Sequence, residues 1–396
     1  MARSGGSVRS SGSVQRMDLD KYEADQAARR AERDRAKAGG HRLRTPKDGQ
    51  PEVIDPASPW AIDDRLFPTG AGIEERLWFC VRYALLAPSS HNTQPWRFDV
   101  SARGAGAVTV WADRTRALPV CDPEDRELTI SCGCATQLLV LAMRRFGLPG
   151  KVELLPDRTK PDLLARVTVT GTTPIEAPDL RLFEVIRQRR TTRDAFTNVK
   201  PPTSLIEQCV PLCTKLGATV LAVSDDHQRR SLAALIAEAD MLQLGHKAFR
   251  RELAMWMHHN RTHSHDGVPG YAMGMSEVAS IIAPLVVRTF DLGKGRAAHD
   301  EDLALRSPVL LLLGTEADDA KAWLSTGRAL AALTLHLTAG GLCHSYLNQA
   351  CELAPMRAHL RRLFPSVQWP QIVLRVGYGP RTAHTPRRGV DEVRKR

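Results

Sequence analysis

The chain has 396 residues, 43% hydrophobic and 25% charged, enough to bury one large core or two modest ones. No apolar run approaches the roughly 18 residues of a membrane helix, residues 281–287 and 309–313 being far shorter; the opening Met1-Ala2-Arg3-Ser4-Gly5-Gly6 holds no apolar signal region, and eight Cys without a disulfide-like framework predict reduced thiols in the cytoplasm. A net charge of +11 would point to nucleic acid were it spread over the fold, but residues 1–50 carry +5 and residues 381–396 carry +4, leaving +2 for the rest.

Residues 1–58, rich in Ser, Gly, Arg and Ala, read as a disordered basic arm whose one helical stretch, 24–38, has no face that demands burial. Residues 74–86 have helical periodicity, with Leu77, Val81, Ala84 and Leu85 on one face, and Pro88 ends that helix. A polar turn follows, and Trp96 and Phe98 then alternate as in a strand. Residues 107–111 form a strand and 127–146 a helix that Gly147 stops; 151–155 and 164–170 are strands. A short helix over 182–188 ends in an Arg/Thr cluster, and helices over 204–216 and 231–249 flank a strand at 218–223. Residues 255–306 mix His, Gly, Met and Pro and are the least regular part. Residues 308–314 form a buried strand, 322–339 an apolar helix and 371–378 the closing strand.

An internal repeat divides this α+β pattern in two. Ile130-Ser131-Cys132-Gly133 stands fourteen residues before Gly147-Leu148, and Leu324-Ser325-Thr326-Gly327 stands fourteen before Gly341-Leu342. Each helix then leads to a strand with Arg-Val, Arg166-Val167 and Arg375-Val376. Two helices with Gly at the same place can cross closely and bury each other's apolar stripe. The expected organisation is a first half over 59–175, a second over 176–380 with a lid-like insertion at about 255–306, and a solvated basic tail over 381–396.

Two motifs carry chemistry. The first, Pro88-Ser89-Ser90-His91-Asn92-Thr93-Gln94-Pro95-Trp96-Arg97-Phe98, joins hydroxyls and an amide to an aromatic anchor. The second, Arg189-Arg190-Thr191-Thr192-Arg193 followed by Phe196, gathers three guanidiniums and two hydroxyls at a helix end, where Arg forks match phosphate oxygens. Together they resemble the signatures of the FMN-dependent nitroreductase family. Their inverted order and the chain length resemble its Acg-like branch, in which two nitroreductase halves are fused into an internal pseudo-dimer. The resemblance covers roughly residues 70–380.

It implies one FMN per chain, held between Pro88, Ser89, Ser90 and Asn92 of the first half and Arg189, Arg190, Thr191 and Arg193 of the second. Arg189 and Thr191 would hold phosphate and ribityl oxygens, and Arg193 would stabilise the reduced ring. Gly341, Leu342, Asn348 and Arg375 would border the site, Arg375 as a phosphate-binding cation. The implied activity is two-electron hydride transfer from NAD(P)H, a transient co-substrate, to a nitro, quinone or other electrophilic small molecule. The alternative is an FMN-storage protein, with a lid over the ring; a third reading is a nucleic-acid or partner binder that uses residues 1–50. The flavin bears the chemistry, so no catalytic side chain or metal is expected. His258, His259, His263 and His265 read as a polar loop rather than a metal site, and Cys132 and Cys134 as core. Neither a Gly-x-Gly-x-x-Gly after a strand nor a Gly-x-Ser-x-Gly occurs. The expected state is a monomer with this internal pseudo-dimer, with a homodimer as the alternative.

Overall fold

A computed structural model describes residues 54–395. The basic arm, its helical stretch and the nucleic-acid reading that rests on them lie outside the described residues, apart from 54–58.

The first half opens with α1 (Ile73–Ala84), which buries Leu77, Val81 and Ala84 as its periodicity requires. Strands β1 (Trp96–Ser101) and β2 (Ala107–Ala112) form a hairpin, α2 (Arg126–Arg145) follows, and β3 (Gly150–Leu154) and β4 (Leu163–Val169) complete an antiparallel sheet of order β1-β2-β4-β3. A connecting segment holds α3 (Ala177–Glu184), α4 (Thr203–Glu207) and α5 (Cys209–Thr214). The second half has β5 (Thr219–Ala222), helices α6 (Asp226–Gly245) and α7 (Lys247–Trp256), a two-stranded ribbon of β6 (Met257–His258) and β7 (Val268–Pro269), helices α8 (Glu277–Thr289) and α9 (Gly293–Arg306), then β8 (Val309–Thr315) and α10 (Ala320–Ala339). It ends with β9 (Cys343–Tyr346), α11 (Gln349–Glu352), α12 (Ala354–Leu363), β10 (Trp369–Gly377) and the short α13 (Val390–Val393).

The second sheet has the order β5-β8-β10-β9. Strand, strand, helix, strand, strand therefore recurs with the same spatial permutation in both halves. The central helices of the repeat, α2 and α10, are each 20 residues long and lie against one another. A Cβ on Gly133 would run into the Leu324 carbonyl oxygen, and one on Gly327 would run into the Ile130 carbonyl oxygen. Ile130 and Leu324 are equivalent positions of the repeat, so each helix offers its partner the same notch. Both helices also end alike. Gly147 (φ 72°) and Gly341 (φ 76°) take the left-handed conformation, and Leu148 N donates to Met143 O at 2.8 Å as Leu342 N does to Leu337 O at 2.9 Å.

One core joins the halves, taking Val108 and Val110 from the first sheet, Leu311, Leu313 and Leu374 from the second, and the apolar faces of α2 and α10. The first sheet leaves its other face, with Arg97, Thr109 and Arg166, partly open to water, which is why its strands alternate. The second sheet is covered on both faces. Leu310, Leu312 and Val373 pack under α6 and α12 in a separate core, so β8 reads as an unbroken apolar run.

Two expectations are corrected. Residues 255–306 are not irregular throughout, because α8 and α9 occupy 277–306. Nor is the 381–396 tail solvated. Arg387 and Arg388 are buried, Val393 enters the core, and Lys395 N donates to Phe98 O at 2.8 Å beside β1. Strand β1 is a sheet edge with free carbonyls, and the chain end satisfies them; a charge count over 16 residues cannot register that.

Replacing Gly327 with Ala forces two backbones apart rather than a flexible side chain, so overpacking of about 3 kcal/mol or more is expected. Urea denaturation of G327A should show that loss of stability. G147A, with open space at its Cβ, should lose about 1 kcal/mol through its positive φ alone.

Candidate functional site

After α1 the chain turns sharply. His91, Asn92 and Gln94 all have positive φ, at 47°, 54° and 52°. Such conformations cost of order 1 kcal/mol or more each in residues with a Cβ, and persist only where surroundings impose them. Here the imposing bonds are plain. Asn92 Nδ2 donates to Gly267 O at 2.9 Å and to Pro386 O at 3.0 Å, and its Oδ1 accepts from Arg387 Nη1 at 2.8 Å. Gln94 Nε2 donates to His265 O at 2.7 Å, its Oε1 accepts from Arg388 N at 2.8 Å, and its own N–H reaches Ser89 Oγ at 3.0 Å. The turn is thus pinned at once by the β6–β7 connection and by the C-terminal segment around residues 386–388.

The Arg cluster arrives from the other side. Thr191 bridges to His344 of β9, and Thr192 N donates to His344 O at 3.0 Å. Arg375, from β10, grips the loop behind it by donating to the carbonyls of Asp194 (3.0 Å), Thr192 (3.1 Å) and Arg193 (2.6 Å). Its guanidinium lies 4.2 Å from the Phe196 ring.

Between these elements lies a cleft with about 1060 Å³ of empty space, part of it open to solvent. Pro88, Ser89, Ser90, Asn92, Arg189, Arg190, Thr191, Arg193 and Asn348 all line it. The two motifs, about a hundred residues apart in sequence, therefore share one cavity. Gly341, Leu342 and Arg375 do not line it. The first two form the C-terminal cap of α10, and Arg375 is a positioning residue whose Nη1 and Nη2 donate to backbone carbonyls. Asn348 reaches the wall, but its amide is already committed: Nδ2 donates to Glu127 Oε1 and Oδ1 accepts from Val373 N at 3.2 Å.

The structure adds wall residues that sequence reasoning passed over: Trp60, Glu127, Tyr346, Glu352, His384 and Arg387. Arg387 was hidden by the tail-charge argument, although Val390 and Val393 after it signalled burial. Glu127, read only as a helix start, receives hydrogen bonds from Ser90 Oγ and Asn348 Nδ2. Trp60 donates from Nε1 to Thr385 O at 2.9 Å, and the Arg387 guanidinium lies 4.9 Å from its ring.

The electrostatics are lopsided. Arg189 is only 3% exposed. Its Nη2 makes a long 3.5 Å contact with Leu86 O, and its Nε and Nη1 have no partner among the described residues. Burial lowers its pKa. Burial, then Arg296, pushes Arg193 down to about 10, and burial, then Arg189, pushes Arg387 down to about 9. Burial and the nearby Arg193 hold His91 down at about 4, so its imidazole is neutral. The same cavity carries acid. Glu352 accepts from Gln243 Nε2 at 2.6 Å and Cys121 Sγ at 3.3 Å, and burial together with the Glu127 carboxylate raises its pKa well above the carboxylic range. Next to it, Glu252 accepts from Val120 N (3.0 Å) and Cys121 N (2.8 Å), and burial pushes it up to about 7. The cavity combines unbalanced cations with a proton-bearing carboxyl.

His265 Nδ1 pairs with Glu392 Oε2 at 2.7 Å and His258 Nε2 lies 3.5 Å from Asp266 Oδ1. Among the described residues no group of three or more His, Cys, Asp or Glu could hold a metal ion, and no helix is long and apolar enough to cross a membrane. Cys132 and Cys134 are buried in α2, where burial raises both thiols, Cys134 to about 12.

No family model matches the sequence. The Mycobacterium tuberculosis H37Rv protein Rv3131, provisionally named an NAD(P)H nitroreductase, is 32% identical over 347 residues, spanning 86% of this chain and 96% of that protein. Acg from the same strain, under the same provisional name, is 28% identical over 322 residues, or 79% and 93% of the two chains. The solved FMN-dependent nitroreductase NfnB from Mycobacterium smegmatis, in complex with NADPH, aligns over 55% of this chain and 97% of its own at 17% identity and a TM-score of 0.35, too slight a likeness to bear on the chemistry.

Glu252 supplies a pH test. Its folded pKa lies above the 4.5 of an ordinary Glu, so the native state binds the proton more tightly than the unfolded one, and stability falls as pH rises from about 4.5 through about 7. E252Q removes that term. Its stability relative to the parent should improve between about pH 5 and pH 7.5, by on the order of 3 kcal/mol, in urea titrations at the two values.

Proposed function

Because the chain belongs to the nitroreductase family, in its Acg-like branch, we propose that the cleft holds one FMN and serves a two-electron reductase that takes hydride from NAD(P)H and delivers it to a nitro, quinone or other electrophilic acceptor. The observation that carries this reading is Arg189. A guanidinium buried with two donor nitrogens unsatisfied costs several kcal/mol. A dianionic phosphate brought in by the cofactor removes that cost through charge-assisted bonds. Arg189 and Thr191 would hold the phosphate and ribityl oxygens, with Arg190 and Arg387 adding positive charge, and Arg193 would face the ring. When bound, the flavin supplies reversible hydride acceptance and donation.

The remaining roles fall to the chain's own groups. Pro88, Ser89 and Ser90 form a wall whose hydroxyls are held in place by Gln94 and Glu127, so they meet a ligand already oriented. Hydride delivery to a quinone or nitro oxygen acceptor must be matched by a proton. Burial and the nearby Glu127 favour the protonated form of Glu352, which lines the same cavity, so it is the proposed proton source. The acceptor gains hydride and proton together and leaves neutral.

A second reading, storage of FMN without turnover, is favoured by one feature. Asn92 and Gln94 tie the segment 265–267 and the chain end 386–388 across the turn, covering it from both sides.

A visible spectrum of the purified chain, titrated with NADPH, separates these. Flavin absorbance that bleaches and recovers on adding a quinone supports the reductase, and flavin that excess NADH or NADPH leaves unbleached supports storage. A colourless protein that does not take up added FMN refutes both. R189A should weaken FMN retention by about 1.5–3 kcal/mol, measured by fluorescence quenching on titration; unchanged affinity would mean that the phosphate lies elsewhere. E352Q should keep FMN affinity while slowing the oxidative half-reaction and flattening its pH profile.

A further inference from the structure

Helix α8 presents a surface that the cleft does not use. Its inner face is buried through Ser280 and Val287, against α7 and the β6–β7 ribbon. Its outer face should then be polar. Instead Val278, Ile281, Ile282 and Leu285 are 72%, 66%, 53% and 66% exposed. The spacing i, i+3, i+4, i+7 puts all four on one stripe. Exposed apolar groups continue beyond the helix at Phe290 and Leu292, and Met241 of α6, whose backbone lies against Gly293, extends them. Contiguous apolar area beyond a few hundred Å² is unusual on a monomer.

We propose that this stripe is a self-association surface, through which two copies of the chain pair with their α8 helices antiparallel about a twofold axis. The sequence of the stripe is its own complement. Val278 and Leu285 stand equally far from the point midway between Ile281 and Ile282. An axis there sets Val278 against Leu285 of the second copy and Ile281 against its Ile282, as an isologous interface requires. The flanking charges favour the same arrangement. Glu277 opens the helix and Arg288 lies in its last turn, so antiparallel pairing brings acidic ends near basic ones, whereas parallel pairing sets like charges together. A lipid surface would call for several Lys and Arg along the flanks; within residues 277–289 Arg288 is the one cation. The chain's own residues 1–53 offer no apolar stripe of matching period to cover it. A helix of 13 residues is about 20 Å long. Alone it falls short of the roughly 800 Å² per partner of a specific dimer, so Phe290, Leu292 and Met241 are needed at its margin.

The pairing also bears on the cleft. Immediately before α8, Val268 lines the cavity and Ala272 O accepts from Arg193 Nη1 at 3.1 Å. A second copy seated on α8 would hold that segment in place. The surface does not depend on what the cleft binds, so the dimer can fail while the flavin reading stands, and the reverse.

The test is sedimentation velocity of the full chain over a range of micromolar concentrations, beside I281E/L285E and the milder I281S, with circular dichroism to check folding. A concentration-dependent dimer in the parent, monomers in I281E/L285E and a dissociation constant roughly tenfold higher in I281S are expected. A parent that stays monomeric overturns the proposal, as does a dimer that both variants leave unchanged. So does a monomer that floats with vesicles of anionic phospholipid, which would assign the stripe to a membrane.

Discussion

The architecture depends on the crossing of α2 and α10 at Gly133 and Gly327. Each glycine lies where a methyl group would strike the other helix's backbone, with Gly133 Cα 2.8 Å from the position a Cβ would take on Gly327. That contact lets two helices of one chain meet as closely as their carbonyls allow, and it fuses the apolar faces of both sheets into one core. Because the halves repeat the same strand order about this crossing, a turn that precedes the first sheet and a basic loop that precedes the second are brought to one cavity. Covalent fusion relieves the chain of the association entropy that two separate halves would incur in making the same site.

The cavity stores electrostatic imbalance of two kinds. Arg189 is a buried cation with one weak acceptor, Arg193 donates to the Ala272 carbonyl, Arg387 is buried among neutral acceptors, and Glu352 is raised by a second carboxylate, Glu127. Both arrangements destabilise the fold by itself, and both have an evident use when an anionic ligand and a proton-consuming reaction are present. The same accounting explains the strained turn at 91–94. Three positive φ values would not survive in a free loop, and they are kept by bonds from Gly267, His265, Pro386, Arg387 and Arg388, residues about 170 to 295 positions away.

Legibility from sequence followed the range of the interactions. Helices with strong periodicity, such as residues 127–146 and 322–339, were placed to within a residue or two, because 3.6-residue spacing is a local signal. The helix expected over 231–249 instead breaks at His246 into α6 and α7, where Gly245 is the one local signal, and that over 204–216 breaks at Gln208 into α4 and α5 with neither Pro nor Gly at the break. The short β9 and the helices after it were missed; four residues of strand have too little periodicity to read. Among the site residues, the motifs located Arg189 and the turn, whereas Arg375, expected as a phosphate-binding cation, turns its Nη1 and Nη2 to three backbone carbonyls and does not line the cleft.

The amino-acid order alone determined the repeat, the paired glycines, the α+β alternation and the two polar motifs, because each is written in residue type at fixed local spacing. Tertiary structure decided which polar atoms remain for a ligand. Asn92 and Asn348 look like free amides in the sequence, yet the fold commits them to Pro386 and Glu127, while Arg189 is left with donors unsatisfied. It also decided that the basic chain end closes a sheet edge and walls the cavity with Arg387. Hydrogen-bond satisfaction and burial are properties of distant partners meeting, and no local pattern carries them.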